Sequence, residues 1–369
     1  MESFRNEARP GGTYKEVNGK EEGFFRRFFN SLVTGCMSCG CLLAIVLAVA
    51  VGLSIYFFRD GEKGIKDGIS AVSLSSGKEF SEEYVSGPEE SDRRIAVIRI
   101  NGVITRDEDA PLNTSAISGD IVLQLQQALE DETVKAVIMD LDTPGGEVTA
   151  SDEVYKKILE VRKKKPVVAM MNTLCASGGY YIASACSPIV AGKYTLTGSI
   201  GVIISAWNYK GLFDKIGLQS EVYTSGKMKD MLNGARERTP EETALVQELV
   251  MNAYDGFVQV VSSSRKIPPE KIKSSIIGDG RVMDGRQALE LKLVDQLGYF
   301  EDAVKEAEKL ASGKDFQVFR YEEKFSFGRF VNFFLSKTSA PAVQLRLPGE
   351  GGENVRIRRG VLYFLPYGY

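Results

Sequence analysis

The sequence predicts an α/β fold: a parallel β-sheet core built from βαβ units, preceded by one transmembrane helix. Three observations predict it. From Arg94 onward, short apolar runs alternate with segments of helical apolar spacing, the order that places helices against a parallel sheet. Between Arg27 and Arg59 lie 31 residues without a charge, more than the roughly 20 needed to span a bilayer. No internal repeat divides the 369 residues, so the length suits an anchor and one large domain.

Within the uncharged stretch, Cys41 to Phe58 is almost wholly apolar. It is longer than the roughly 7–15 residues of a signal-peptide core, and no small-residue cleavage site follows. Phe24, Phe25, Phe28 and Phe29 precede the span, and Tyr56, Phe57 and Phe58 end it, as interfacial aromatics do. Arg26 and Arg27 lie before it, and Arg59, Lys63 and Lys66 after it, so the positive-inside rule does not decide its orientation. The expected organisation is an N-terminal segment 1–30, an anchor 31–58, a polar Gly/Ser/Glu-rich linker 59–93, a folded domain 94–312 and a C-terminal extension 313–369. The extension ends in the apolar run Gly360–Tyr369, which is unsuited to remaining bare in water.

In the folded domain, Ile95–Ile100 reads as a strand ending at the turn signal Asn101-Gly102. Ile117–Glu130 has helical spacing. Val134–Leu141 is a buried strand closed by a sharp turn over Asp142–Gly146. Ala150–Arg162 reads as an amphipathic helix, Pro166–Met171 as a strand, Ser177–Cys186 as a helix and Ser187–Gly192 as a short strand. Thr195–Ile204 and Ser220–Thr224 read as extended. Thr239-Pro240-Glu241-Glu242 opens a long helix to Arg265. Gly285–Leu293 and Glu301–Ala311 complete the helices.

Composition excludes several chemistries. The chain contains no histidine, which removes Ser-His-Asp triads, Cys-His pairs and zinc-hydrolase motifs. A general base here is Asp, Glu, Lys, Tyr or a terminus. The net charge of −3 and the absence of a basic stripe give no reason to expect nucleic-acid binding. Of the five cysteines, Cys36, Cys39 and Cys41 edge the apolar run. They lack the second half of a metal site. Cys175 and Cys186 read as small buried residues.

Three segments carry candidate chemistry. In Cys175-Ala176-Ser177-Gly178-Gly179-Tyr180-Tyr181, a serine stands where a strand ends and a helix begins. Backbone N–H groups and a helix dipole there suit a nucleophile whose substrate becomes an oxyanion. Taken locally, the pattern is first that of an ordinary N-cap serine. In Pro144-Gly145-Gly146, glycines at a strand end expose N–H groups for the other wall of an oxyanion hole, or simply make a turn. In Ser225-Gly226-Lys227-Met228-Lys229-Asp230, two lysines compete as base. The full phosphate-loop spacing is missing. Without histidine, a nucleophilic serine needs a neutral lysine. The Ser-x-x-Lys pairs at Ser75–Lys78 and Ser263–Lys266 lack the S-D-N and K-T-G partners of penicilloyl-type enzymes, and position 175 is cysteine rather than the glycine of a G-x-S-x-G elbow.

Six ordered segments within residues 94–310 resemble the bacterial signal peptide peptidase A family of Ser/Lys-dyad proteases, in its short, single-repeat form. They are Thr143–Gly146, Ala176–Tyr181, Thr197–Val202, Ser225–Asp230, the pair Asp279–Val282 with Gly285–Ala288, and Leu293–Asp295. The resemblance implies a crotonase/Clp-protease-like fold. It makes Ser177 the nucleophile and Lys229 the general base, with Ser199 orienting the lysine and Gly146 and Gly178 forming the oxyanion hole. Spacing alone does not separate Lys227 from Lys229; the resemblance favours the lysine directly before Asp230. Asp142-Thr143 stands where the family often has Asn-Ser. The resemblance further implies a cytoplasmic N-terminal segment, a single-pass anchor and a catalytic domain outside the cytoplasm. It implies a homo-oligomer whose neighbouring subunits complete the site. The expected activity is endopeptidase cleavage of released signal peptides or other unstructured chains through an acyl-enzyme. No metal or cofactor is implied. Two other readings remain open: a catalytically silent, membrane-tethered peptide-binding scaffold, and a crotonase-type acyl-CoA enzyme on the same fold.

Overall fold

The computed structural model describes residues 80–106, 115–323 and 363–364. The chain divides into two units, Met1–Gly77 and Lys78–Tyr369, and every described residue belongs to the second. The expected anchor 31–58 lies outside the described residues. Among the described residues no helix is long and apolar enough to cross a membrane.

Strands β1 (Phe80–Ser86), β2 (Arg94–Asn101), β3 (Val103–Thr105) and β4 (Ser115–Ile117) precede helix α1 (Ser118–Glu130). Then come β5 (Val134–Thr143), β6 (Gly146–Glu147), α2 (Val148–Arg162), β7 (Val167–Ala176), α3 (Gly178–Ala183), β8 (Ile189–Ala191) and β9 (Leu196–Gly198). Beyond them lie α4 (Lys210–Ile216), α5 (Pro240–Arg265), α6 (Pro269–Lys273), β10 (Val282–Asp284), α7 (Gly285–Glu290), β11 (Gln296–Leu297), α8 (Phe300–Leu310), β12 (Gln317–Glu323) and β13 (Tyr363–Phe364).

The central sheet runs β1-β12-β2-β5-β7-β8-β11. Every neighbouring pair from β12 to β11 is parallel, and β1 closes the edge antiparallel to β12. This largely parallel α/β sheet fits a Clp-protease-like fold. Burial on both faces explains why β2, β5 and β7 read as near-continuous apolar runs. Val137, Met139 and Leu141 face one apolar cluster with Leu125 of α1, Val154 of α2 and Tyr180 of α3. Ala136 and Ile138 face the other, with Ala303 and Ala307 of α8. Strand periodicity of two splits the residues between the layers.

The sheet recruits residues from both flanks. β1 lies within the segment read as linker and β12 within the one read as C-terminal extension, and they pair with each other from Phe80↔Glu323 to Tyr84↔Phe319. FSEEYVS shows little apolar alternation because it is an edge strand: only Phe80 is buried.

Other differences cluster near the strand ends. β7 runs to Ala176 rather than stopping near Met171, because Leu174, Cys175 and Ala176 pair with Leu196, Thr197 and Gly198 of β9. The stretch expected to be extended over Thr195–Ile204 keeps only β9 as a strand, since Ser199 turns away at φ 50°. Ser220–Thr224 forms no strand. The expected helix Ser177–Cys186 contracts to α3, and α4 was not anticipated.

Candidate active site

The site grows from the C-terminal ends of adjacent parallel strands, where open α/β sheets place their ligands. β5 ends in a turn held by Thr143, whose Oγ1 accepts the Gly145 N–H at 3.0 Å. Asp142 accepts the Leu174 N–H at 3.0 Å and ties the end of β5 to that of β7. The Asp-Thr pair that departs from the family pattern therefore shapes this corner through hydrogen bonds to the backbone.

Ser177 stands between β7 and α3 at φ 52° and ψ −113°. A non-glycine residue held there stores about 1–3 kcal/mol of backbone strain, a cost tolerated where the surroundings over-determine it. Its N–H donates to the Gly198 carbonyl at 2.8 Å, and its carbonyl accepts the Tyr181 N–H at 2.8 Å. The residue is fully buried, and its Oγ has no hydrogen-bond partner among the described residues. A buried, unpartnered hydroxyl is uncommon and calls for an explanation. It also differs from an N-cap serine, because no side-chain cap bond forms at α3.

Gly146 and Gly178 face each other beside it. A Cβ built on Gly178 would lie 3.0 Å from the Gly146 nitrogen and 2.6 Å from Ser151 Oγ. One on Gly146 would lie 1.9 Å from the Ile104 carbonyl oxygen. Both positions exclude a side chain, and the two backbones pack closely against each other. Ser199, buried and at φ 50°, follows the carbonyl that holds Ser177. Its own N–H donates to the Arg281 carbonyl at 2.8 Å. The fold thus gathers Ser177, Gly146, Gly178 and Ser199.

It does not bring Lys229 into bonding contact with Ser177. Lys229 is exposed on a turn in which its N–H donates to the Gly226 carbonyl at 3.0 Å. From Gly201 to Asn233 no residue is buried. Lys227 is committed to an ion pair with Glu241 at 2.8 Å, whereas the Lys229 ammonium has no ion pair among the described residues.

The residues that sequence reasoning missed sit behind this turn. Arg236 joins Asp230 (Nη2–Oδ1 2.7 Å, Nε–Oδ2 3.0 Å) to Glu242 (Nη1–Oε2 2.9 Å). Glu242 also completes the capping box of α5 by accepting the Thr239 N–H at 2.8 Å. The hydrogen bonds from Arg236 hold the Asp230 and Glu242 carboxyls down to about 2. The one readable signal was Glu242 as the last residue of a capping box opened by Thr239.

Both described cysteines are buried and free. Burial pushes the Cys186 thiol up to about 12 and the Cys175 thiol well above its ordinary value. Neither is set up as a nucleophile, in line with the small-residue reading.

The class this fold and corner fit is that of the α/β serine hydrolases. The family profile described as Peptidase family S49 matches residues 160–314. "Putative signal peptide peptidase SppA" of Enterococcus faecium is 35% identical over 293 residues, covering 78% of this chain and 82% of its own. "Serine protease SPPA, chloroplastic" of Arabidopsis thaliana is 36% identical over 224 residues, covering 59% of this chain and 32% of its own. "Protease 4" of Salmonella typhi is 34% identical over 239 residues, covering 64% and 38%. The chain belongs to the signal peptide peptidase A family within peptidase family S49, and it is a serine peptidase. The scaffold and acyl-CoA readings give way to that membership.

Proposed function

We propose that the protein is a membrane-anchored endopeptidase in which Ser177 attacks the scissile carbonyl and Lys229 accepts its proton. The N–H groups of Gly146 and Gly178 stabilise the oxyanion, and Ser199 orients the lysine. The observation that carries this reading is Ser177 itself: a strained, fully buried residue whose hydroxyl lacks a hydrogen-bond partner beside two close-packed glycines. Attack gives a tetrahedral intermediate, then an acyl-enzyme and a free amine; water releases the acyl group.

A lysine base must shed its proton near neutral pH, and desolvation is the usual means. In one chain Lys229 is exposed, so desolvation has to come from another surface. The arm around it carries exposed Trp207, Leu212, Ile216, Val222 and Tyr223, which supports assembly with further copies of this chain. In that assembly a neighbouring subunit completes the site, and the monomer is inactive.

Extended peptides fit the glycine corner. Tyr363–Phe364 pairs antiparallel with Gly146–Glu147, Phe364 opposite Gly146. The edge that would receive a substrate therefore accepts a strand by main-chain pairing. This supports unstructured, signal-peptide-like substrates with small or apolar residues at the cleaved bond. The uncharged stretch 31–58 anchors the protein, with the catalytic domain on the extracytoplasmic side.

The test is Ser177→Ala in the full chain. Turnover of a fluorogenic apolar peptide should fall by orders of magnitude, and labelling by a fluorophosphonate should vanish, while the fold survives. Near-normal hydrolysis by the purified variant would end the proposal.

A further inference from the structure

We propose that Arg236 is a positioning residue for the Lys229 base: it fixes the lysine-bearing turn to the start of α5 and cancels the charge of Asp230 next to the lysine. The inference rests on Lys229 being the base.

The geometry is specific. Arginine presents five N–H donors in a planar fork, and every nitrogen of Arg236 is used. Nε and Nη2 take the two oxygens of Asp230, and Nη2 also donates to the Asp230 carbonyl at 3.2 Å. Nη1 donates to Glu242 and to the Glu237 carbonyl, and Nη2 also bonds Glu242. Glu242 is 1% exposed, so one end of this clamp is buried in the first turn of a 26-residue helix. The other end is the residue directly after Lys229. Further along α5, Phe257 packs edge-on against Tyr181 with ring centroids 5.2 Å apart, and Tyr181 donates its N–H to Ser177. One helix thus carries the lysine turn at its start and buttresses the serine helix near its end.

The electrostatic half follows from the neighbours. The turn and the elements packed against it carry Lys227, Asp230, Arg236, Glu237, Arg238, Glu241 and Glu242. Lys227 is paired with Glu241, and Arg236 is shared by Asp230 and Glu242. Arg238 keeps its Nε and Nη2 buried without a partner among the described residues. With Arg236 in place, Asp230 faces a guanidinium. Without it, an uncompensated carboxylate sits one residue from the base and favours the protonated ammonium, the wrong form for catalysis.

The experiment is the pH profile of kcat/KM for the full chain on a fluorogenic apolar peptide, in wild type, Arg236→Gln, Asp230→Asn and the double variant, with Lys229→Arg alongside. Arg236→Gln should move the basic-side rise upward by about one pH unit. Adding Asp230→Asn should bring it back although the clamp stays broken. Asp230→Asn alone, which leaves Arg236 on Glu242, should move the rise downward, and it serves where Arg236→Gln fails to fold. A rise that stays fixed in Arg236→Gln and in Asp230→Asn while Lys229→Arg is dead overturns this inference and leaves the Ser/Lys reading standing. An active Lys229→Arg overturns both.

Discussion

The two halves of the proposed dyad sit in opposite surroundings. From Cys175 to Cys186 every residue is buried, and Ser177 is held on both sides by 2.8 Å backbone hydrogen bonds. From Gly201 to Asn233 none is buried. The difference teaches where each half gets its reactivity. The proposed nucleophile sits within one chain's core, which supplies the strain, the glycines and the helix. The proposed base stands on an arm that a single chain leaves in water, and its proposed tuning comes from an ion-pair clamp and a second surface.

The largest expected effect tests which lysine the arm offers. Lys229→Arg keeps the charge but substitutes a group that does not deprotonate in proteins, so peptide turnover should fall by about a thousandfold or more. Lys227→Arg should retain substantial activity, since its partner Glu241 accepts either cation. Reversed results would move the base to Lys227, and two active variants would abolish the contrast between core and arm.

On the core side, Gly146→Ala forces a methyl to 1.9 Å from the Ile104 carbonyl. The backbone must shift, at about 1–3 kcal/mol of stability, and the donor beside Gly178 moves with it. A hundredfold loss of kcat with a modest change in KM is expected. A proportional rise in KM instead would assign Gly146 to substrate binding alone.

On the arm side, Tyr223→Asp combined with Trp207→Asp should leave the fold intact, because these side chains are 90% and 66% exposed. Light scattering should show a smaller species, and activity should fall about tenfold or more and recover with protein concentration. Full activity in a species shown to be monomeric would place the whole site in one chain.

The same contrast explains what was legible in the sequence. The sheet strands were readable because burial on two faces leaves continuous apolar runs such as Val134–Leu141. Ser177, Gly146 and Gly178 were readable because strand ends and glycine pairs leave local marks, and the ordered motifs then joined them. The arm was not. Ser220–Thr224 looked extended but has no strand partner, and α4 buries none of its residues, so periodicity had no face to report. β1 was hidden because an edge strand with one buried residue resembles a polar linker. The Arg236 clamp was hidden because its three members are joined through space by side chains, and only Glu242 left a trace, as the last residue of a capping box.

The smallest expected effect concerns the stability the clamp gives the arm. Asp230 and Glu242 ordinarily titrate at 3.8 and 4.5, and their bonds to Arg236 lower both to about 2. A carboxylate whose folded value is depressed stabilises the fold above its unfolded value and loses that contribution as pH falls through the folded one. The clamp's share is therefore fully present above about pH 5 and disappears between about pH 4 and 2. Thermal melting of the wild type should show Tm falling through that window more steeply than in Arg236→Gln. The variant should melt lower at pH 7, and the two curves should converge near pH 2. Arg265 and Asp295, paired at 2.8 Å on the core side, supply the internal control: burial alone would raise Asp295, but its bond to Arg265 leaves it below its ordinary value. Their acid-labile share remains in Arg236→Gln, so the variant's Tm should still decline with acid, only less. Parallel curves for wild type and variant would mean that the clamp adds nothing to folding and that Arg236 acts only on the lysine beside it.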